Sequence, residues 1–469
     1  MLALIRRLAS LPTILWILAL SVVAVGYQFF LPGLSGDSPL YASVARGMLA
    51  SGDFFGMRSG LPEFRSFAEH PHLGFWVSAL FFRIFGVADW SYRIAGQLFY
   101  FGSLVVVWRI VARAYGGERA VFAVLMLWLW PRYAQFFANA YLDAGFIFFA
   151  LCAYDLWAAR GKNSALLTGF ALGAALLYKG TVGLALGPIF LFAVLESRRW
   201  RETPGLIAGM LVPLVAYLGS LELSGNGDFV GQYLSSVSRR GSALSLDRFF
   251  ALRTYTSLVG DTLGLVVAVP VAALIAGRAT VRLFPFAWVW VAVFFVGYAA
   301  TGRVGFQYWT TLMPAIAMGL AAMIPDGAWL RRSSQLRGAS FLLALALIPL
   351  TQAWPRSLRG APGAFAEHLV ALNRESPRDL LFMDRGRPLI EDFSSTGALL
   401  WYSGIGEARY VQPGEARPVP SQSSVYVLAR GDDSDERLDI RKRALSVMGW
   451  CEDFSSENSN LSLWLSCAR

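Results

Sequence analysis

Long apolar runs separated by short basic loops fill the first 354 residues, and they constrain the fold more than any single motif. About 20 apolar residues in a row cross a bilayer core as a helix, because hydrocarbon offers backbone N–H and C=O groups no partners but each other. The sequence predicts such runs, several of them short, at about residues 11–31, 93–115, 119–138, 142–159, 164–178, 180–196, 204–223, 258–277, 283–300, 307–324 and 339–354. Composition agrees: 56% hydrophobic residues, 15% charged residues and a mean hydropathy of +0.49 fall outside the range of soluble domains. The predicted fold class is an α-helical polytopic membrane protein with about 11 to 13 transmembrane helices.

In a soluble protein the net charge of +10 would point to nucleic acid. Here Arg and Lys gather in loops at 113–119, 160–162, 198–201, 278–282 and 331–337, where they set orientation, so no nucleic-acid partner is expected. Arg6 and Arg7 precede the first run, which is longer than a signal-peptide core and reads as an uncleaved helix with its N-terminus inside. The stretch from His72 to Val87 decides the topology. If it does not cross, all five basic loops share the side of Arg6 and Arg7; if it crosses, all five move outside. The positive-inside rule selects the first option and makes this stretch an interfacial helix.

That topology brings the polar interruptions to one face: a first outer loop at 32–92 with Asp37 and Glu69, then 139–143, Lys179, the stretch 224–257, and 302–307. From about Pro355 charged residues rise, and short apolar runs at 379–383, 398–402 and 425–429 alternate with helical stretches at 364–373 and 435–448. The expected organisation is a transmembrane domain at 1–354 and a small soluble α/β domain at 355–469 on the outer side. Cys451 and Cys467 lie in the latter, as a disulfide or as two thiols, and Cys152 lies in a span. The absence of a P-loop argues against an ATP-driven pump.

Asp37 precedes Ser38-Pro39 and a stretch through Ala50 that reads as an amphipathic helix with Leu40, Val44 and Leu49 toward the bilayer. Its carboxylate can serve as a plain N-cap, accepting amide hydrogen bonds, or as a base. Glu69 and Asp143 sit at membrane boundaries, where surface solvation is the simpler role for each alone; three carboxylates on one face can form a proton-transfer site. His70 and His72 with Glu69 make a conceivable divalent-metal shell without a standard signature, beside the blander role of interfacial hydrogen bonding. Lys179, Arg303 and, from the fourth outer loop, Arg239 and Arg240 can snorkel to headgroups or clamp a lipid phosphate. A transporter would instead place ionisable residues at mid-depth, whereas Arg109 and Asp155 lie near span ends.

Asp37, Tyr41-Ala42, Ala45-Arg46, the run Met48 to Asp53, Glu69-His70-Pro71, Gly74 with Trp76, Leu142-Asp143, Tyr178-Lys179-Gly180, Tyr308 and Met313-Pro314-Ala315 form an ordered set. The set resembles the GT-C polyprenyl-phosphate-sugar glycosyltransferases, the family of protein O-mannosyltransferases and lipid A aminoarabinose transferases. The resemblance implies inverting sugar transfer from a polyprenyl phosphate to a lipid, glycan or protein acceptor on the outer face of a bacterial cytoplasmic membrane. It implies Asp37 as base, with Asp143 and Glu69 completing the site, and Lys179, Arg303 and Arg240 holding the donor phosphate. Tyr41, His70, His72 and Tyr308 become donor or acceptor contacts. The chain departs from the family at Ser38 and His70, where relatives carry Glu and Lys, and in the fourth outer loop, which reads Ser236-Val237-Ser238-Arg239-Arg240. No certain cofactor is implied beyond a possible divalent metal.

A topology reporter fused after Arg199 should read as cytoplasmic and one fused after Arg359 as external. The opposite pattern would show that the stretch from His72 to Val87 crosses.

Overall fold

The computed structural model describes residues 34, 37–57, 67–128, 130–241, 284–301, 306–323, 380–384, 407–411, 424–429, 442, 445–446, 450–456 and 461–466. The expected runs at 11–31, 258–277 and 339–354, the stretches 364–373 and 398–402, Arg303 and Cys467 lie outside the described residues, as do the side chains of Arg239, Arg240 and Cys451. Two compact units emerge: residues 1–31, 69–74 and 93–353, and residues 32–68, 75–92 and 354–469.

In the second unit, α1 (Ser38–Ser51) starts with Pro39 in its first turn and stops at Gly52, whose φ of 70° takes the left-handed C-cap conformation. Leu40 and Val44 do not face lipid, contrary to the expectation from their spacing. They are buried together with every residue from Ser38 to Ala45, so the first two turns of α1 are enclosed on all sides. Tyr41 sets its ring edge-on to Phe67 and Phe75 at 6.2 and 5.8 Å, and Phe67 meets Phe75 at 5.6 Å. The helix α2 (Leu73–Phe85) ends at Gly86, with φ 84°. Its 13 residues span about 20 Å, short of a bilayer core of about 30 Å. Trp76 anchors it by donating from Nε1 to the Phe54 carbonyl at 2.7 Å.

The same unit carries one mixed sheet from β1 (Leu380–Asp384), β2 (Glu407–Val411), β3 (Ser424–Ala429), β4 (Trp450–Ser456) and β5 (Leu461–Ser466), in the order β2-β1-β3-β5-β4. β1 lies parallel to β2 and β3, and β5 runs antiparallel to β3 and β4. β1 and β3 fall on the apolar runs near 380 and 425, and Trp464 of β5 is buried opposite Tyr426 in the register.

The first unit is a helix bundle. α3 (Asp89–Tyr115) begins at its border. It is followed by α4 (Gly117–Trp128), α5 (Pro131–Ala138), α6 (Leu142–Ala159), α7 (Ser164–Lys179), α8 (Leu186–Ser197), α9 (Thr203–Leu223), α10 (Asp228–Gly241), α11 (Pro285–Thr301), the short α12 (Phe306–Trp309) and α13 (Met313–Met323). Pro131, lacking an N–H, splits the apolar run 119–138 into α4 and α5. Among the described residues four stretches are long and apolar enough to cross a membrane: Asp89–Tyr115, Leu142–Ala159, Ser164–Ser197 and Trp200–Leu223. Ser164–Ser197 is itself broken by the 3-10 turn Gly180–Ala185, at the interruption expected beside Lys179.

Lipid tails are as apolar as leucine, so helices in a bilayer associate through close packing and polar bonds rather than through hydrophobic burial. α7 and α9 follow this rule. A Cβ on Gly169 would lie 1.9 Å from the Leu206 carbonyl oxygen, and one on Gly209 would lie 2.0 Å from that of Leu166. Polar links tie the helix ends opposite Lys179. Asp155, buried on α6, takes Arg109 and Arg113 of α3 at 3.0 Å each. Arg199 grips Glu202, the Trp157 carbonyl and the Ser164 hydroxyl, and lies 4.0 Å over the Trp157 ring.

Gly169→Val should force α7 and α9 apart and lower stability by about 1–3 kcal/mol. A Cβ on Gly187 meets nothing within 4 Å, so Gly187→Ala should leave the melting temperature unchanged or raise it. Thermal unfolding of the two variants in detergent, beside the parent, tests both.

Candidate active site

α6 and α7 are adjacent in sequence and packed together, so the start of α6 meets the end of α7. Each end carries the charge its helix favours: Asp143 in the first turn of α6, where the dipole is positive, and Lys179 in the last turn of α7, where it is negative. The two side chains meet at 2.5 Å between Nζ and Oδ2, both nearly enclosed, at 2% and 7% side-chain exposure. Asp143 Oδ1 is buried and has no hydrogen-bond partner among the described residues. A buried ion pair is weak stabilisation once its desolvation is counted, so a half-satisfied one where two helix ends meet is a candidate for a functional role.

The residues around the pair are held by close backbone approach. Gly180 has φ 61°, and a Cβ there would lie 1.9 Å from the Tyr233 hydroxyl and 3.1 Å from Pro71. The Tyr233 hydroxyl accepts the Thr181 N–H at 2.6 Å, which fixes α10 over the turn that follows Lys179. Tyr178 wedges its ring where Gly145 has no side chain: a Cβ there would meet the ring at 2.3 Å. Pro71 thus brings the segment 69–74 to the Lys179–Gly180 turn. The next residue but one after His70, His72, is fully buried, hydrogen-bonds Tyr217 Oη through Nδ1 at 2.7 Å and packs on the Phe229 ring at 4.6 Å.

The residues expected from the sequence divide as follows. Asp143 and Lys179 are brought together, with the segment holding Glu69, His70 and His72 against the same turn. Glu69 and His70 are half-buried there. His72 serves as an anchor through Tyr217, and among the described residues no three His, Cys, Asp or Glu side chains cluster to hold a metal ion. Asp37 and Tyr41 belong to the other compact unit. Asp37 occupies the N-cap position but makes no side-chain capping bond, because its φ and ψ of −76° and −9° are already helical. Of the two roles the sequence offers Asp37, plain N-capping is thus not the one taken up. Tyr308 is half-buried, its ring 5.2 Å from Tyr298 and its carbonyl accepting from the Thr311 hydroxyl at 2.7 Å. Arg303 and the Arg240 side chain lie outside the described residues.

Tyr217, Phe229 and Tyr233 were not singled out by the sequence. One signal was available: Phe229 and Tyr233 stand four residues apart on α10, and their rings stack at 6.2 Å on one helix face.

Residues 69–221 match a family model described as dolichyl-phosphate-mannose-protein mannosyltransferase. The chain is similar to the undecaprenyl phosphate-alpha-4-amino-4-deoxy-L-arabinose arabinosyl transferase of Edwardsiella ictaluri (strain 93-146), 30% identical over 201 residues, which are 39% of this chain and 34% of the relative. The corresponding enzyme of Pseudomonas paraeruginosa (strain DSM 24068 / PA7) is 30% identical over 228 residues, 43% of this chain and 38% of the relative. These matches thus span little more than a third of the relatives' own length. In fold, the chain is similar to ArnT from Cupriavidus metallidurans bound to undecaprenyl phosphate, with a TM-score of 0.73 at 17% identity over 96% of this chain and 97% of that one. The apo state of the same protein gives 0.70. The chain is a multi-pass membrane protein with an ArnT-like fold, and its sequence between 69 and 221 resembles the GT-C transferases.

Lys179→Met should strand the Asp143 carboxylate in the bundle and cost about 3–5 kcal/mol. The double variant Asp143→Asn with Lys179→Met should recover most of that loss. Equal destabilisation of the single and double variants in a thermal melt would show that the pair is not electrostatically coupled.

Proposed function

We propose that this chain transfers a sugar from a polyprenyl-phosphate carrier to an acceptor on the outer face of the cytoplasmic membrane. The observation that carries the proposal is the buried Asp143–Lys179 pair, set beside the segment 69–74 inside the region of family resemblance. The ArnT-like fold supports it, as does the undecaprenyl phosphate bound by that relative.

In this reading the acceptor oxygen attacks the anomeric carbon from the face opposite the phosphate, the bond between that carbon and the phosphate oxygen breaks, and the configuration inverts. A base takes the acceptor's proton, and the polyprenyl phosphate leaves with an added negative charge. Cations placed where that charge develops lower the barrier without a nucleotide leaving group. Lys179 is the first of these, joined by Arg303 and Arg240. Asp37, at the start of α1, is the base. Glu69 and Asp143 orient the reactants, and Tyr41, His70 and Tyr308 contact donor or acceptor. His72 positions the segment 69–74 through Tyr217. Residues 1–354 form the transferase domain, α2 lies along the outer interface, and residues 355–469 form an external domain.

Asp37→Asn should leave the protein folded while lowering transfer by about 10²–10⁴-fold. Mass spectrometry of lipid A, envelope polysaccharide and exported protein from a deletion strain identifies the product. Complementation with the parent gene should restore that product, and the Asp37→Asn gene, expressed at the same level, should not. Restoration by the variant overturns the role of Asp37.

A further inference from the structure

α7 and α9 are in backbone contact at Gly169 and Gly209, but α8 leans the other way, setting Phe190 edge-on to Phe286 of α11 at 5.9 Å. The divergence opens an apolar groove of about 420 Å³ among α7, α8 and α9, with Leu176, Gly187, Phe190, Leu191, Leu206 and Met210 on its walls. It runs the length of α8, about 18 Å, which is somewhat more than half of a 30 Å bilayer core. Leu191, on its wall, is 55% exposed, so the groove opens sideways toward the hydrocarbon.

The two ends of the groove differ. Beyond one end stands Lys179, enclosed and already bonded to Asp143. The other end is closed by Trp200 and Thr203, in the loop that carries Arg198 and Arg201. Both arginines are exposed and form no ion pair among the described residues. Arg199, between them, is engaged with Glu202 and the Ser164 hydroxyl. Arg160 and Arg198 both take left-handed C-cap conformations, with φ 54° and 55°, where glycine is the common residue. Trp200, half exposed at the groove mouth, is an amphipathic ring of the kind that sits at headgroup level.

We propose that this groove holds one acyl chain of an anionic phospholipid, with the headgroup phosphate on Arg198 and Arg201. The inference needs only that the chain spans a membrane, and it is independent of sugar transfer. The exposed cations stand at the Trp200 end, so the groove suits a lipid whose anionic headgroup lies in that leaflet.

Native mass spectrometry of the delipidated full chain, titrated with phosphatidylglycerol, phosphatidylcholine or undecaprenyl phosphate, tests this. Each basic residue near an anionic headgroup contributes about fivefold, so phosphatidylglycerol should be retained at least about tenfold more tightly than phosphatidylcholine. Arg198→Gln with Arg201→Gln should abolish that preference. Gly187→Leu fills open space, keeps both arginines, and should weaken retention of either phospholipid, which guards against misfolding of the double variant. Equal retention of the two phospholipids by the parent, or an unaltered preference in the double variant, overturns the proposal. Displacement of bound phosphatidylglycerol by undecaprenyl phosphate also overturns it and assigns the groove to the lipid carrier.

Discussion

The ion pair between Asp143 and Lys179 joins opposite charges at opposite helix ends, and the rest of the site is arranged around it. Two antiparallel helices place a positive dipole end beside a negative one, and the two side chains complete that pairing at 2.5 Å. The desolvation that makes such a pair a poor staple also keeps water from screening it fully, so a charged ligand arriving there interacts with it more strongly than it would at an exposed surface. Gly180, Pro71 and Tyr233 then close the backbone around the turn. Small residues at Gly145 and Gly169 allow this because in a bilayer the helices must be drawn together by contact rather than by expulsion of water.

Much of the helical layout was legible in the sequence because helix breaks are local events. Gly86 stops α2 and the polar interruption at Lys179 and Gly180 becomes a 3-10 turn, whereas Pro131 splits a run that reads as one span. Direction was not legible. Leu40 and Val44 were read as facing lipid but are buried, since a bilayer and a protein interior reward the same apolar side chain and periodicity cannot distinguish them. Asp37 stands at the helix position its neighbours indicate, but the capping bond, one of the two roles the sequence offers it, is not made, since its backbone has already entered the helix.

The site was legible as residue types and not as partnerships. Asp143 and Lys179 were each assigned to one face of the membrane, but the rotation of α6 against α7 that joins them depends on Tyr178 filling the space at Gly145. His72 looked like a metal candidate because His70 and Glu69 stand near it in sequence. Its real partner is a tyrosine 145 positions away, on a helix whose composition says only that it is apolar.

That separation also sets an order of assembly. The segment 69–74 emerges from the ribosome early, whereas Tyr217 and Tyr233, which anchor His72 and cover Gly180, are made well over a hundred residues later. At about 5–20 residues per second the segment waits roughly 7–30 s for Tyr217 to be synthesised. Until α9 and α10 are inserted, His72 lacks its bond to Tyr217 and its contact with Phe229, and the turn after Lys179 stays uncovered by Tyr233. A nascent chain stalled before residue 217 would therefore have α6 and α7 in the membrane, but not a closed site.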